Sequence, residues 1–143
     1  MADTDIERNA ASANTLAELT ARLSEDDLGR SLGGGWTVAS ALVHLTFWDG
    51  RQDAALRHYT ATGQRLEDDS DDAVNEGLGP LLAHIDPASA VTLATAAAKA
   101  VDATIAGLAP DVREALLATD DAYQVQRWSH REEHIAQIEA VLG

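Results

Sequence analysis

Two histidines near the end of the chain have the type and the spacing to do chemistry together. His130 and His134 are four residues apart in a segment with helical character, residues 128–138. At about 100° per residue, positions i and i+4 lie on one face of a helix, about 6 Å apart along its axis. This spacing allows two imidazoles to bind one metal ion.

A third histidine, His44, lies far upstream in a second predicted helix, on the same face as Ala41 and Trp48. Buried imidazoles need polar partners, and a shared ion accepts a lone pair from each neutral ring. A site with three nitrogen ligands keeps positions open for water or substrate, as catalytic zinc sites do. Zinc, nickel and ferrous iron all accept imidazole, so the ligands do not choose among these metals.

The spacing of His130 and His134 also has a simpler interpretation. A pair at this spacing near the start of a helix is more often a hydrogen-bonded or surface pair than a metal site. His58 and His84 have no comparable partner in the sequence, and we interpret both as surface or hydrogen-bonded residues. The residues alone therefore leave a metal site and an ordinary histidine pair as alternatives.

Residues close to the histidines in the sequence are candidates for supporting roles. Trp48 follows His44 by one turn and could contact a bound cofactor. Asp49, Glu132 and Glu133 are candidate carboxylates for orienting the imidazoles, although Glu132 is expected mainly as helix surface charge. The tryptophans are expected to fill the core: Trp36, Trp48 and Trp128.

The charge and composition of the chain limit the function classes. Its 143 residues include 24 acidic and 10 basic side chains, a formal net charge of −14, which disfavours nucleic acids and anionic membranes as partners. The absence of cysteine excludes disulfides, thiolate ligands and a cysteine nucleophile. The first residues do not resemble a signal sequence, and no apolar stretch approaches the ~20 residues of a membrane span. We therefore expect a cytoplasmic protein.

Helical periodicity runs through most of the chain. Apolar residues at three- and four-residue spacing predict long helices over about residues 4–23, 37–62, 86–107 and 125–142, with Thr37 and Asp86 as the N-caps of the second and third. The inward face of the last helix is predicted to be the stripe His130, His134, Ile138 and Val141, with Ile135 and Leu142 beside it. Shorter helical pieces are expected after Ser24, from Pro110, and over residues 72–84, where Gly77, Gly79 and Pro80 are expected to interrupt the helix. No strand pattern competes with the helices.

The connections between the predicted helices are polar or glycine-rich. Residues 33–35 are all glycine and are expected to form a flexible connection. The acidic residues 67–72 are expected to form a solvated loop that leads into the capped start of the next helix. The sequence therefore predicts a single all-α domain over residues 1–143, a four-helix bundle with short extra helices in its connections.

Two segments of the chain resemble a known family. Residues 35–45, GWTVASALVHL, followed by Trp48 and Asp49, are similar to the second-helix motif of the DinB-like superfamily. This superfamily includes the N-terminal domain of mycothiol-dependent maleylpyruvate isomerase. Residues 130–138, HREEHIAQI, are similar to the last-helix motif of the same superfamily. The order of the helices is similar over nearly the whole chain.

The resemblance implies a four-helix bundle that holds a divalent metal on three histidines, one from the second helix and two from the last. The matching positions in this chain are His44, His130 and His134. Members with known activity often use mycothiol, bacillithiol or glutathione, whose sulfur the metal would bind and activate. The resemblance thus implies zinc, nickel or iron as cofactor, together with mycothiol or a similar thiol.

Two functional hypotheses follow. The first is a metal-dependent enzyme, a thiol S-transferase or a hydrolase, that acts on a small-molecule substrate. The second is a non-catalytic bundle that binds a small molecule or a partner protein in the same cavity, with a vestigial metal site. Because the many alanines allow close approach of helices, we also expect a homodimer through an exposed helix face.

Overall fold

The chain is helical throughout most of the part that the computed structural model describes, residues 2–66 and 70–142. Its helices are α1 (Ala2–Ala21), α2 (Glu25–Leu28), α3 (Val38–Thr62), α4 (Asp71–Leu82), α5 (Pro87–Gly107), α6 (Pro110–Leu117) and α7 (Arg127–Leu142). A short hairpin, β1 (Ser31–Gly33) and β2 (Trp36–Thr37), precedes α3, and a 3-10 turn, Ala122–Gln124, precedes α7. The predicted all-α class is confirmed.

Local capping interactions fix where α3 and α5 begin. At the start of α3, the Thr37 hydroxyl accepts a hydrogen bond from the Ser40 amide, and the Ser40 hydroxyl accepts one from the Thr37 amide. These bonds satisfy amides that have no partner inside the helix. The Asp86 carboxylate accepts from the Ser89 amide in the same way at the start of α5. The cap of α3 places His44 two turns into the helix.

The long helices pack directly against one another. α3 lies along α5, α1 contacts both α5 and α7, and α7 also contacts α3. Ala90, Ala94 and Ala98 are buried on α5, and their small side chains let its backbone come close to its neighbours. Two clusters form the core, one around Leu16, Leu42 and Ile138 and one around Leu56 and Val101.

The hairpin replaces the flexible connection predicted at the three glycines. β1 and β2 pair antiparallel, with Ser31 opposite Thr37. Gly33, Gly34 and Gly35 have φ angles of 90°, 60° and 83°, a region that only glycine enters without steric cost. The turn is therefore ordered. It holds Trp36 with its ring edge-on to the imidazole of His44, at 5.0 Å between ring centroids.

The acidic segment predicted at residues 67–72 lies partly outside the described residues, since residues 67–69 are not among them. Ser70 is described and caps α4 by accepting a hydrogen bond from the Ala73 amide. α4 continues through Gly77 and Gly79 and contains Pro80, where the sequence predicted interruptions. None of its residues is buried, and it packs on α3 beside the histidines.

α5 and α6 meet at a sharp bend. In the part of the chain that the structure describes, no single helix is long and apolar enough to cross a bilayer. Taken together, α5 and α6 have the length and the apolar composition of a membrane span, but the two helices are bent by 110° at their junction. The apolar face of α5 is covered by protein: its buried residues are Ala90, Ala94, Ala98, Val101 and Ile105.

Candidate metal centre

The three predicted histidines meet at one point between α3 and α7. The Nε2 atom of His130 lies 2.9 Å from Nε2 of His44 and 3.2 Å from Nε2 of His134. The ring centroids are 4.8 to 4.9 Å apart, and each pair of rings is inclined by 72° to 73°. The three rings are thus related by an approximate threefold axis. The structure brings together all three residues that the sequence proposed as ligands.

The convergence of these nitrogens fits the requirements of a metal ion. Two nitrogens bound to one ion at about 2.0–2.1 Å, with about 90–110° between the bonds, lie about 2.8–3.4 Å apart. The two Nε2 distances to His130 fall in this range. A neutral imidazole has one lone pair, so Nε2 of His130 cannot accept hydrogen bonds from both neighbours at full strength. The group of His44, His130 and His134 could hold a metal ion.

A hydrogen bond to Gln137 sets the protonation of His134. Its Nδ1 atom lies 2.9 Å from Oε1 of Gln137, and an amide oxygen can only accept. The Nδ1 atom therefore carries the proton, which leaves the lone pair of Nε2 directed at the other two histidines. Gln137 was not among the residues predicted from the sequence, although its position three residues after His134 on the same helix face was a usable signal.

Burial keeps all three imidazoles neutral. It lowers the pKa of His44 to about 4 and that of His130 to about 3, and nearby positive charges add to both shifts. Burial also lowers the pKa of His134. A polar contact with Asn75 partly opposes the shift in the pKa of His44, whose Nδ1 makes no hydrogen bond of normal geometry among the described residues. Neutral rings offer their lone pairs to a cation at physiological pH.

A cavity of about 940 Å³ opens beside the three histidines. Its apolar wall includes Phe47, Trp48 and Val74, and its polar lining includes Gln52 and Asn75. Trp48, proposed as a cofactor-binding residue, lines this cavity and donates a hydrogen bond from Nε1 to Oδ1 of Asn75 at 3.1 Å. The volume is within the range of small-molecule sites in proteins.

No protein-family model, curated protein or solved structure matches the chain. The two segments on which the DinB-like resemblance rests do meet in space. Residues 35–49 form the turn of the hairpin and the first half of α3, residues 130–138 lie in α7, and the two segments touch at His44 and His130.

The lowered pKa of His44 predicts that acid destabilises the metal-free protein. Because the pKa is about 4 when folded and about 6.5 when unfolded, the unfolded chain binds more protons between these values. The contribution of neutral His44 to the free energy of unfolding is thus fully present above pH 6.5 and is lost as the pH drops toward 4. Moving from pH 7 to pH 5 should cost about 2 kcal/mol through His44 alone. Urea unfolding of the wild type and of His44→Gln at both pH values measures this difference. Equal losses in the two proteins would contradict the assignment.

A buried network of arginines and aspartates lies next to the histidines. Asp49 accepts hydrogen bonds from Nε of Arg127 at 2.9 Å and from Nε of Arg131 at 3.2 Å. Arg131 also donates to both carboxylate oxygens of Asp102, at 2.8 and 3.0 Å. Two positive and two negative groups are thus balanced. Nη2 of Arg127 lies 3.5 Å from Nδ1 of His130, so Asp49 reaches the site through an arginine rather than by contacting a histidine.

The network shows that the face of α7 that is buried differs from the predicted inward face by a rotation about the helix axis. The predicted inward stripe consists of His130, His134, Ile138 and Val141. The structure instead buries the stripe Arg127, Arg131, Ile135 and Ile138 and leaves both histidines half-buried at its edge. The i, i+4 spacing of the two arginines was visible in the sequence. Their acidic partners, on α3 and α5, were not identifiable without the fold.

The remaining candidates occupy more peripheral positions. Glu132 is exposed and forms an ion pair with Arg8 at 2.9 Å, in agreement with the surface role expected for it. Glu133 lines the cavity, and its negative charge raises the pKa of His134 against the effect of burial. The tryptophans are all half-buried rather than core residues: Trp36, Trp48 and Trp128. His58 and His84 lie outside the histidine cluster.

Proposed function

We propose that this protein is a metal-dependent enzyme of the DinB-like type. In this proposal a four-helix bundle of α1, α3, α5 and α7 presents His44, His130 and His134 to a divalent zinc, nickel or iron ion. The activity is the transfer of a low-molecular-weight thiol, such as mycothiol, to a small molecule, or the hydrolysis of a small molecule by an activated water. The convergence of the three Nε2 atoms beside a cavity carries the proposal.

The residues of the chain have separate roles in this proposal. The three neutral imidazoles hold the ion, and Gln137 keeps the proton of His134 on the far nitrogen. The ion supplies a Lewis acid that lowers the pKa of a thiol or a water in its open position. Trp48 forms part of the aromatic wall of the cavity and would shape the space for the ligand. Since the chain has no cysteine, a reacting thiol has to come from a small molecule.

Cobalt substitution tests the thiol branch of this proposal. Cobalt(II) accepts the same imidazole ligands, and its visible absorption responds to a change of ligand. The cobalt-loaded protein should change its visible spectrum when glutathione or mycothiol is added. The S-methyl derivatives, which cannot form a thiolate, should leave the spectrum unchanged.

Each other outcome of this titration rejects part of the proposal. A protein that holds cobalt but shows no spectral change with any thiol contradicts the transferase branch and leaves water activation. A protein that takes up no cobalt, zinc or nickel contradicts the metal-dependent function. The non-catalytic bundle that binds a small molecule would then be the better description.

A further inference from the structure

Glu133 lines the cavity and has no partner of opposite charge. It is one of three glutamates on α7. The other two bind arginines of α1: Glu132 pairs with Arg8 at 2.9 Å and Glu139 pairs with Arg22 at 3.6 Å. Glu133 is exposed and forms no hydrogen bond or ion pair in the part of the chain that the structure describes. The carboxylate of α7 that faces the cavity is therefore the one without a cation.

The position of Glu133 on α7 places its carboxylate beside the three histidines. It follows His130 by three residues and directly precedes His134, and all three residues line the cavity. Side chains three apart on a helix have their Cβ atoms about 5–6 Å from each other. The negative charge of Glu133 also raises the pKa of His134, as expected for a carboxylate close to that ring. A ligand bound at the histidines would thus have Glu133 as a neighbour.

The two arginines that line the cavity do not neutralise Glu133. Arg127 is 4% exposed, and it donates from Nε to Asp49 and from Nη1 to the carbonyl oxygen of Tyr123. Arg51 follows Asp49 by two residues on α3 and so lies near the level of Arg127, about 9 Å along α7 from Glu133. Neither arginine forms an ion pair with Glu133.

The remaining lining of the cavity also suits a positive charge. A second exposed carboxylate, that of Asp71, lines the cavity from α4. Phe47 and Trp48 contribute aromatic surface, which attracts cations through the negative faces of the rings. The formal net charge of −14 further raises the local concentration of cations around the molecule.

We propose that the small molecule on which this site acts carries a positively charged group, a protonated or quaternary amine, and that Glu133 selects it by forming an ion pair. The ligand would supply the cation that Glu133 lacks within the chain, and its apolar part would contact Phe47 and Trp48. The inference names a substrate class for the proposed function and rests on that function for the position of the ion.

Two thiols of the same shape test the ion pair. Thiocholine carries a permanent positive charge on a group that cannot bind a metal. Its carbon analogue, in which a tert-butyl group replaces the trimethylammonium group, has the same shape and no charge. Both are titrated into the zinc-loaded protein, and the ratio of their dissociation constants is compared between variants. The comparison cancels the difference in hydration between the two thiols.

Glu133→Gln removes the charge and keeps the size of the side chain. The preference for thiocholine over its analogue should fall by about 5-fold in this variant. Glu132→Gln is the matched control, because it makes the same change in net charge at the adjacent position, outside the cavity. Its preference should equal that of the wild type. An unchanged preference in Glu133→Gln, or an equal fall in both variants, would overturn the proposal.

The metal content of Glu133→Gln separates an ion pair with the ligand from metal binding by the carboxylate. The variant should hold about one zinc ion per chain, as expected for the wild type. Loss of zinc from Glu133→Gln would show that the carboxylate is itself a metal ligand, and this would overturn the proposal.

Failure of the metal site can be distinguished from failure of this inference. Phe47 is the only phenylalanine of the chain and lines the cavity, so isotope-labelled phenylalanine gives NMR signals from that ring alone. If the wild type takes up no zinc, the proposed function fails, and both thiols are titrated into the metal-free protein with these signals as the readout. The preference should again fall in Glu133→Gln and not in Glu132→Gln. An unchanged preference, or no binding of either thiol, would overturn the role of Glu133.

Discussion

Replacing His130 by alanine should abolish metal binding. The wild type is expected to hold about one ion per chain after incubation with zinc or nickel and gel filtration. His130 lies at hydrogen-bonding distance from both other histidines, so its loss leaves two ligands without their common neighbour. The metal content, measured by inductively coupled plasma mass spectrometry, should fall from about one ion per chain to nearly none. We expect the same result for His134→Ala.

The exposed His84 supplies the control for this prediction. His84→Ala removes an imidazole of the same chemistry outside the cluster, and the variant should keep its full metal content. Circular dichroism should show that the His130→Ala protein is still folded, because His130 is only half-buried. A folded His130→Ala protein that retains the ion would contradict the three-histidine site.

Replacing Arg131 by methionine should destabilise the protein by about 3–5 kcal/mol. The Arg131 side chain is fully buried and donates to Asp49 and to Asp102. Its removal leaves two carboxylates facing one remaining arginine, Arg127, in a part of the structure with little access to water. Urea unfolding at pH 7 measures the loss in the free energy of unfolding.

An exposed arginine serves as the control for this loss of stability. Arg22 forms an ion pair with Glu139 at 3.6 Å, and the side chain of Arg22 is 60% exposed. Arg22→Met should change the free energy of unfolding by about 0–1 kcal/mol. If Arg131→Met cost no more than this control, the buried network would not contribute to stability as we infer.

The elements that could be predicted from the sequence are those with local signals. The cap at Thr37 and the cap at Asp86 depend on residues within three positions, and both were identified. The convergence of His44 with His130 was predicted with the help of the family resemblance. Spacing within one helix identified only the pair His130 and His134, because it carries no information on which residues of other helices face that pair.

The features that were missed depend on contacts between distant segments. Arginine is rarely fully buried, so hydrophobic periodicity assigned the wrong face of α7 to the core. Arg131 is buried because Asp49 and Asp102, from two other helices, neutralise it. The ordered turn at residues 33–35 was missed since three glycines in a row carry no pairing pattern of their own. The cavity at Gln52 arises only when α3, α4 and α7 are assembled.

The neutrality of the three imidazoles has a consequence for the electric field of the molecule. Neutral ligands would leave the charge of a bound cation uncompensated by the ligands themselves, and the two adjoining arginines and two aspartates balance one another in charge. The rest of the chain is strongly anionic, with a formal net charge of −14. A negatively charged reactant would thus be repelled by most of the surface and attracted at one place. The carboxylate of Glu133, which lines the cavity, would oppose this attraction, so the ion would draw in such a reactant only at short range.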